Sequence, residues 1–446
     1  MKTSKSCDVI ARDYVSPLLE ENVVLERNVG SFSLKRVMYL LLNLVPYGGF
    51  LSTVFNLASA TLGAGVISLP SAFNYCGVIF SLILLLMVTL ATIYAIRLLV
   101  ETRELTGLNS YEAMAKDFFG QGWDLITAGL MWLFTFGTCV AYIISIGDIL
   151  NAAFTTESFP PFLRTTGGKR IVNIIIWLIG MFTMSLPKRI NSLRYVSVIA
   201  IFSILFFVSC IVVHSLQNGL KNGKLRDDVK LWNKDNSAIQ GLSLFMFAYL
   251  CQVNCLEIYD EMVRPTVNKM TFYATFSMSF CLIVYVISGF FGYADFGSEA
   301  TKSLLLLYDV SNNVLLSVSF IGMVIKLCVG FALSIQPARD SCYYILHWEI
   351  NTLPRWKHIT FCGTMSFLAL VLGLFIPSVN KVFGFLGSLC GGLLGFSLPA
   401  LYRMYCGNWG LTQVGVVNYV CTYILLIAGV VAVVFGTGAS IYGVVV

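Results

Sequence analysis

Ser59-Ala60-Thr61-Leu62-Gly63-Ala64-Gly65-Val66 interrupts, with small residues, an apolar run that begins near residue 50 and reaches past Pro70. Two glycines at i and i+2 have two physical readings: a surface on which another helix packs closely, or a point where the helix unwinds. Unwinding inside a bilayer frees backbone amides and carbonyls, which must then find partners in a cavity, in the protein or on a cargo. A second segment, Phe247-Ala248-Tyr249-Leu250-Cys251-Gln252-Val253-Asn254-Cys255-Leu256-Glu257, sets Gln252, Asn254 and Glu257 in another apolar run. Unpaired polar groups at that depth cost several kcal/mol, so they are expected to face a cavity. The two segments fall at corresponding positions if the chain is built from two inverted repeats, which is what paired helix breaks predict.

The rest of the chain fits that frame. Of its 446 residues, 57% are hydrophobic and 12% charged, against roughly a quarter charged in soluble proteins. Most of its surface is therefore expected to face lipid. Apolar stretches of about 20 residues, the length that crosses a bilayer, recur from residue 50 to the end. Eleven candidate spans lie at roughly 50–72, 76–100, 124–153, 171–187, 195–217, 238–259, 270–294, 313–338, 358–377, 381–402 and 414–445. The expected architecture is an all-α polytopic membrane protein. Repeat one covers 50–217, repeat two 238–402, and an extra C-terminal helix 414–445. Residues 1–49 read as a cytosolic tail of mixed charge, with Leu34 to Val45 apolar enough to lie on the membrane surface.

With the N-terminus in the cytosol, the inner side holds 18 of the 29 basic residues, a moderate positive-inside bias. The net charge of +6 is accounted for by those loops and needs no nucleic-acid partner. The thirteen cysteines are scattered through apolar segments without a disulfide or metal-ligand spacing. His214, His347 and His358 are the only histidines, and no nucleophile, base and orienter pattern can be read. An enzyme is not expected, and neither is a cofactor.

Several motifs in order carry a family resemblance. They are Phe55-Asn56-Leu57 with Gly63-Ala64-Gly65-Val66-Ile67-Ser68-Leu69-Pro70; Ser110-Tyr111-Glu112 before Phe119-Gly120; and Tyr142 through Leu150. Glu257-Ile258-Tyr259-Asp260-Glu261-Met262, Pro337-Ala338-Arg339-Asp340-Ser341 and the glycine-rich run from Gly387 to Pro399-Ala400 continue the series. In these the chain resembles the amino acid/auxin permease family, most closely its kinetoplastid amino acid transporters. The resemblance implies eleven helices, a leucine-transporter-like 5+5 inverted repeat with helices 1 and 6 broken, and secondary transport of an amino acid by alternating access. It maps substrate contacts onto Thr61, Leu62, Gly63, Ala64, Gly65 and Val66 in the first helix, and onto Ala248, Tyr249, Gln252 and Asn254 in the sixth.

Two departures bear on the coupling ion. Sodium-coupled members of the family carry an asparagine just before the first break and a hydroxyl residue in the eighth helix. Here those positions hold Ser59 and, in register, Cys328 or Gly330. Lys326 sits in the same stretch, where it either snorkels or pairs with a neighbour, or substitutes for the missing cation and couples transport to protons. Glu257 likewise either caps the broken helix or faces the cargo and favours cationic amino acids. Asp148 is expected at the outer end of its helix as a structural or gating group. The expected partners are an amino acid, a coupling proton and the bilayer, with facilitated uniport open beside proton coupling, and oligomeric state is unassigned. The plasma membrane is the expected location, with vacuolar and lysosomal membranes open. The competing class is an amino-acid sensor with little flux.

Overall fold

The computed structural model describes residues 48–63, 65–154, 159–187, 194–220, 223, 225–233, 236–310, 313–349 and 352–445. The chain divides into two units, Met1–Ser52 and Thr53–Val446. Of the first unit only residues 48–52 are described, so the expected tail and the segment from Leu34 to Val45 lie outside the described residues. All packing discussed below belongs to the second unit.

Ten helices are long and apolar enough to cross a membrane, and the bent pair Phe50–Thr61 and Gly65–Cys76, at 57°, makes an eleventh span. The protein is an all-helical integral membrane protein, with no strand among the described residues. The second span, Val78–Thr106, shows why no amphipathic stripe is visible in the sequence. Leu86, Met87 and Leu90 are exposed on one face while Leu85, Val88 and Leu99 are buried on the other, because lipid is as apolar as the core. Burial sorts the spans. In the third (Trp123–Ala153) and sixth (Ala238–Asp260), 72% of the apolar window is buried, against 22% in the fourth (Thr166–Ser185) and eleventh (Val416–Tyr442), so the former are central and the latter peripheral.

Corresponding spans of the two halves pack on one another. The second half of the first span lies on Ala238–Tyr249 of the sixth, the second span on the seventh (Val267–Phe296), and the third on the eighth (Val314–Ile345). Close approach needs small residues. A Cβ on Gly65 would stand 2.7 Å from the Ala248 Cβ, so Gly65 serves both readings offered by the sequence: it packs, and it borders the break. The tenth span, Val379–Tyr405, winds more loosely over Gly387–Ser397. There Gly387 meets the Ser243 carbonyl, and Gly392 comes against Gly429 of the eleventh span.

Pro70 and Pro337 sit inside helices, where each removes the amide that would bond the carbonyl four residues back. At Pro70 the orphaned carbonyl is Val66, and the Ser288 hydroxyl of the seventh span donates to it at 3.4 Å. At Pro337 it is Leu333. The eighth helix continues past Pro337 to Ile345, beyond the expected end near 338, since neighbouring spans can take up the broken bond.

Replacing Gly65 with valine should force the first and sixth spans apart and destabilise the protein by about 1–3 kcal/mol, the usual range for overpacking. Thermal melting of the purified variant, with its yield on size-exclusion chromatography, checks this; a melt equal to wild type would contradict the close contact.

Candidate functional site

Both breaks seen in the sequence are present. The first span stops at Thr61, where the Gly63 amide turns back to the Thr61 carbonyl at 2.7 Å, and resumes at Gly65. The sixth stops at Tyr249. Leu250 leaves the helical region (φ −77°, ψ 73°), Gln252–Asn254 forms a single tight turn, and Cys255–Asp260 resumes the helix. These interruptions leave carbonyls without helical partners in the middle of the protein.

Tyr285 of the seventh span supplies the partner. Its hydroxyl lies 2.6 Å from the Thr61 carbonyl and 2.8 Å from the Ala248 carbonyl. A phenol has one proton to donate, so the two carbonyls share it, and one side chain staples both broken ends. The ring is held edge-on by Tyr249, with centroids 5.1 Å apart. Thr61 directs its own hydroxyl to Leu57 one turn back, at 2.8 Å.

Between the breaks lies a cavity of about 40 Å³. A single water needs roughly 10–15 Å³ on this measure, so it holds about three waters' worth of space, enough for the polar end of a small molecule. Thr61, Gly63, Gly65, Ala248 and Asn254 line it, as expected from the sequence. Ala64 lies outside the described residues. Leu62, Val66, Tyr249 and Gln252 are buried but do not line it, Gln252 standing beside Gly395 of the tenth span. Glu257 is exposed on the far side of the second break and does not reach the cavity.

Four polar lining residues lie outside the substrate contacts expected from the sequence. Thr135, Thr138 and Tyr142 form one face of the third span, and Ser334 comes from the eighth. The 3–4 spacing of polar residues along an otherwise apolar helix was the available signal. Tyr142 fits because its neighbours have no side chain: a Cβ on Gly63 would stand 3.0 Å from its hydroxyl, and one on Gly330 2.7 Å from its ring. Leu333, whose carbonyl Pro337 leaves unbonded, also lines the cavity.

The structure brings Lys326 and Ser59 together. The Lys326 ammonium, 1% exposed, donates to the Ser59 carbonyl at 3.1 Å and lies 3.5 Å from its hydroxyl. No ion pair reaches it among the described residues. The two eighth-helix positions in register with a sodium ligand point elsewhere: Gly330 lies under Tyr142, and the Cys328 thiol lies against Gly180.

Polar ties join the ends of neighbouring spans away from the cavity lining. At one end Arg103 pairs with Asp260 and covers the Tyr259 ring, while the Tyr259 hydroxyl donates to Glu104 at 2.6 Å. At the other, the Ser71 hydroxyl donates to the Ala300 carbonyl at 2.5 Å, and the Asn380 amide donates to Ser71 at 2.8 Å and to the Thr301 carbonyl at 3.1 Å. The loop on that side is pinned at Asp228. Burial alone would raise its carboxyl, but the Ser298 amide and hydroxyl together with Arg226 outweigh that and hold it below the ordinary value.

The family described as "Transmembrane amino acid transporter protein" matches residues 47–442. The chain is 25% identical over 361 residues to solute carrier family 38 member 10 of Mus musculus, covering 78% of this chain and 32% of that protein. It is 25% identical over 364 residues to vacuolar amino acid transporter 5 of Schizosaccharomyces pombe, covering 80% of this chain and 84% of that one. A Xenopus laevis relative named putative sodium-coupled neutral amino acid transporter 10 is 23% identical over 375 residues, 81% of this chain and 35% of its own. The chain thus spans about a third of the length of the first curated relatives it matches.

Tyr285→Phe keeps the ring and removes the staple, leaving the buried Ala248 carbonyl without its donor and the Thr61 carbonyl with the Gly63 amide alone. The expected loss is about 1–3 kcal/mol of stability, read as a lowered melting temperature of the purified variant. An unchanged melt would mean that the carbonyls are satisfied otherwise.

Proposed function

Because the chain belongs to the family of transmembrane amino acid transporters, we propose that it is a secondary transporter moving a small neutral α-amino acid across the bilayer by alternating access. The observation that carries this reading is the cavity between the two helix breaks, lined by Thr61, Gly63 and Gly65 of one and Ala248, Leu250 and Asn254 of the other. Freed backbone groups there can bind a carboxylate and an ammonium without any charged side chain. Release of the polar ties at one set of span ends while the other set holds would expose the cavity to one side at a time.

Size and charge narrow the cargo. No acidic side chain among the described residues lines the cavity, and Glu257, the residue that suggested a cationic amino acid, is exposed and does not line it. A neutral cargo with a short side chain fits about 40 Å³ better than arginine or lysine does.

The coupling ion is proposed to be the proton. Lys326 places its nitrogen on the Ser59 carbonyl, beside the break where sodium-coupled members of the family hold their cation, and a fixed ammonium there leaves no vacancy for sodium. The other titratable group close to it is the Cys281 thiol. The plasma membrane is the proposed location. Because the S. pombe relative is named for the vacuole, a fluorescent fusion compared with markers of both membranes is the check.

Uptake of radiolabelled amino acids into vesicles tests the reading. Alanine-sized neutral amino acids should compete better than arginine or lysine, and replacing sodium with choline should leave the rate unchanged. Lys326→Met should remove the pH dependence of uptake. Sodium-dependent uptake, preference for arginine, or an unaltered pH profile in the folded variant would each contradict a part of it.

A further inference from the structure

A second cavity, of about 260 Å³, opens where the end of the third span meets the start of the fourth and the end of the ninth (Arg355–Phe375). Asp148 and Asn173 bring acceptors to it. Asp148, 7% exposed and neighboured by the Ser303 hydroxyl, forms no ion pair among the described residues. Asn173, 3% exposed, donates its amide to the Ile143 carbonyl at 3.2 Å, while its side-chain oxygen has no hydrogen-bond partner. An unsatisfied buried acceptor is expensive, and the Asn173 oxygen beside a carboxylate whose neighbouring donor among the described residues is the Ser303 hydroxyl calls for a ligand rich in donors.

The same cavity carries the opposite charge. Lys169 and Arg170, at the start of the fourth span, line it without pairing to Asp148. Arg170 is steadied by the Leu374 carbonyl at 3.5 Å and by the Phe375 ring at 5.3 Å. Cations and buried acceptors that line one space without pairing to each other are complementary to a zwitterion. At about 260 Å³ the cavity falls just under the range of drug-sized pockets, suitable for a small polar molecule. Gly147 keeps it open: a Cβ there would stand 3.5 Å from the Asn173 amide nitrogen.

We propose that this cavity is a second binding site for a free α-amino acid, its ammonium on Asp148 and Asn173 and its carboxylate on Lys169 and Arg170. The site is separate from the central one yet shares its third span. Tyr142 and Asp148 are six residues apart, about 9 Å along a helix. A zwitterion held there waits one and a half turns from the central cavity, on the side where the third span ends. The identity of the ligand rests on the function proposed above; the complementarity of the site does not.

Equilibrium dialysis of the purified full chain with radiolabelled L-alanine tests the proposal by stoichiometry. Wild type should bind two molecules per chain. Gly147→Leu, which fills the second cavity without touching a charge, should bind one, and Asp148→Asn should weaken that site by about tenfold or more, the equivalent of a charge-assisted hydrogen bond. Gly63→Val, which fills the central cavity, should also bind one. Wild-type binding of a single molecule, lost with Gly63→Val and untouched by Gly147→Leu, would overturn the second site and leave the transporter reading standing. A single molecule lost with Gly147→Leu alone would keep the second site and overturn the central one. Wild-type protein that binds no alanine would overturn both.

Discussion

Everything central in this protein follows from one requirement: a backbone carbonyl in the middle of a bilayer must be hydrogen-bonded. The first and sixth spans break that rule locally, and the Tyr285 hydroxyl answers at both places, at 2.6 and 2.8 Å. A single proton cannot satisfy two carbonyls fully. The breaks are therefore held but not saturated, which is the condition a binding site needs. The same economy recurs at Pro70, where Ser288 covers the freed Val66 carbonyl. At Pro337 the carbonyl set free, Leu333, borders the cavity instead.

Around that centre the packing is close and the ties at the span ends are polar. Gly65 against Ala248 and Gly387 against Ser243 bring backbones together where a methyl group would not fit, so the broken spans cannot drift apart. The ends behave differently. Arg103 with Asp260 at one side, and Ser71 with Asn380 at the other, are bonds that water can replace at modest cost once a segment moves. The alternating access proposed above would rest on such a close-packed middle with exchangeable ties at the span ends.

Much of this was legible in the sequence, and the misses have a common cause. The spans were visible because lipid-facing helices are apolar all round, and the first break was visible because Gly63 and Gly65 stand among small residues. The sixth break showed in Gln252 and Asn254. Tyr285 could not be found that way. A tyrosine in an apolar helix is ordinary, and its role exists only because Thr61 and Ala248 meet in space. Tyr142 is similar, since Gly63 and Gly330 on two other spans make room for it. Which face a residue takes after a break is equally illegible: the turn at Gln252–Asn254 resets the helix phase and carries Glu257 out to the exposed side. Lys326 was conspicuous as an intramembrane charge, but its contact with Ser59 joins residues 267 positions apart.

The central claim is that an amino acid binds between the two breaks, on backbone groups freed near Thr61 and Ala248. An electron cryo-microscopy map of the full chain in lipid nanodiscs with saturating L-alanine tests it most directly. The account predicts density for a zwitterion in the cavity bounded by Thr61, Gly63, Tyr142, Ala248 and Asn254, with Tyr285 still bonded to at least one of the two carbonyls. Continuous helices through residues 61–65 and 249–254, or a cavity empty of ligand at saturation, would contradict it.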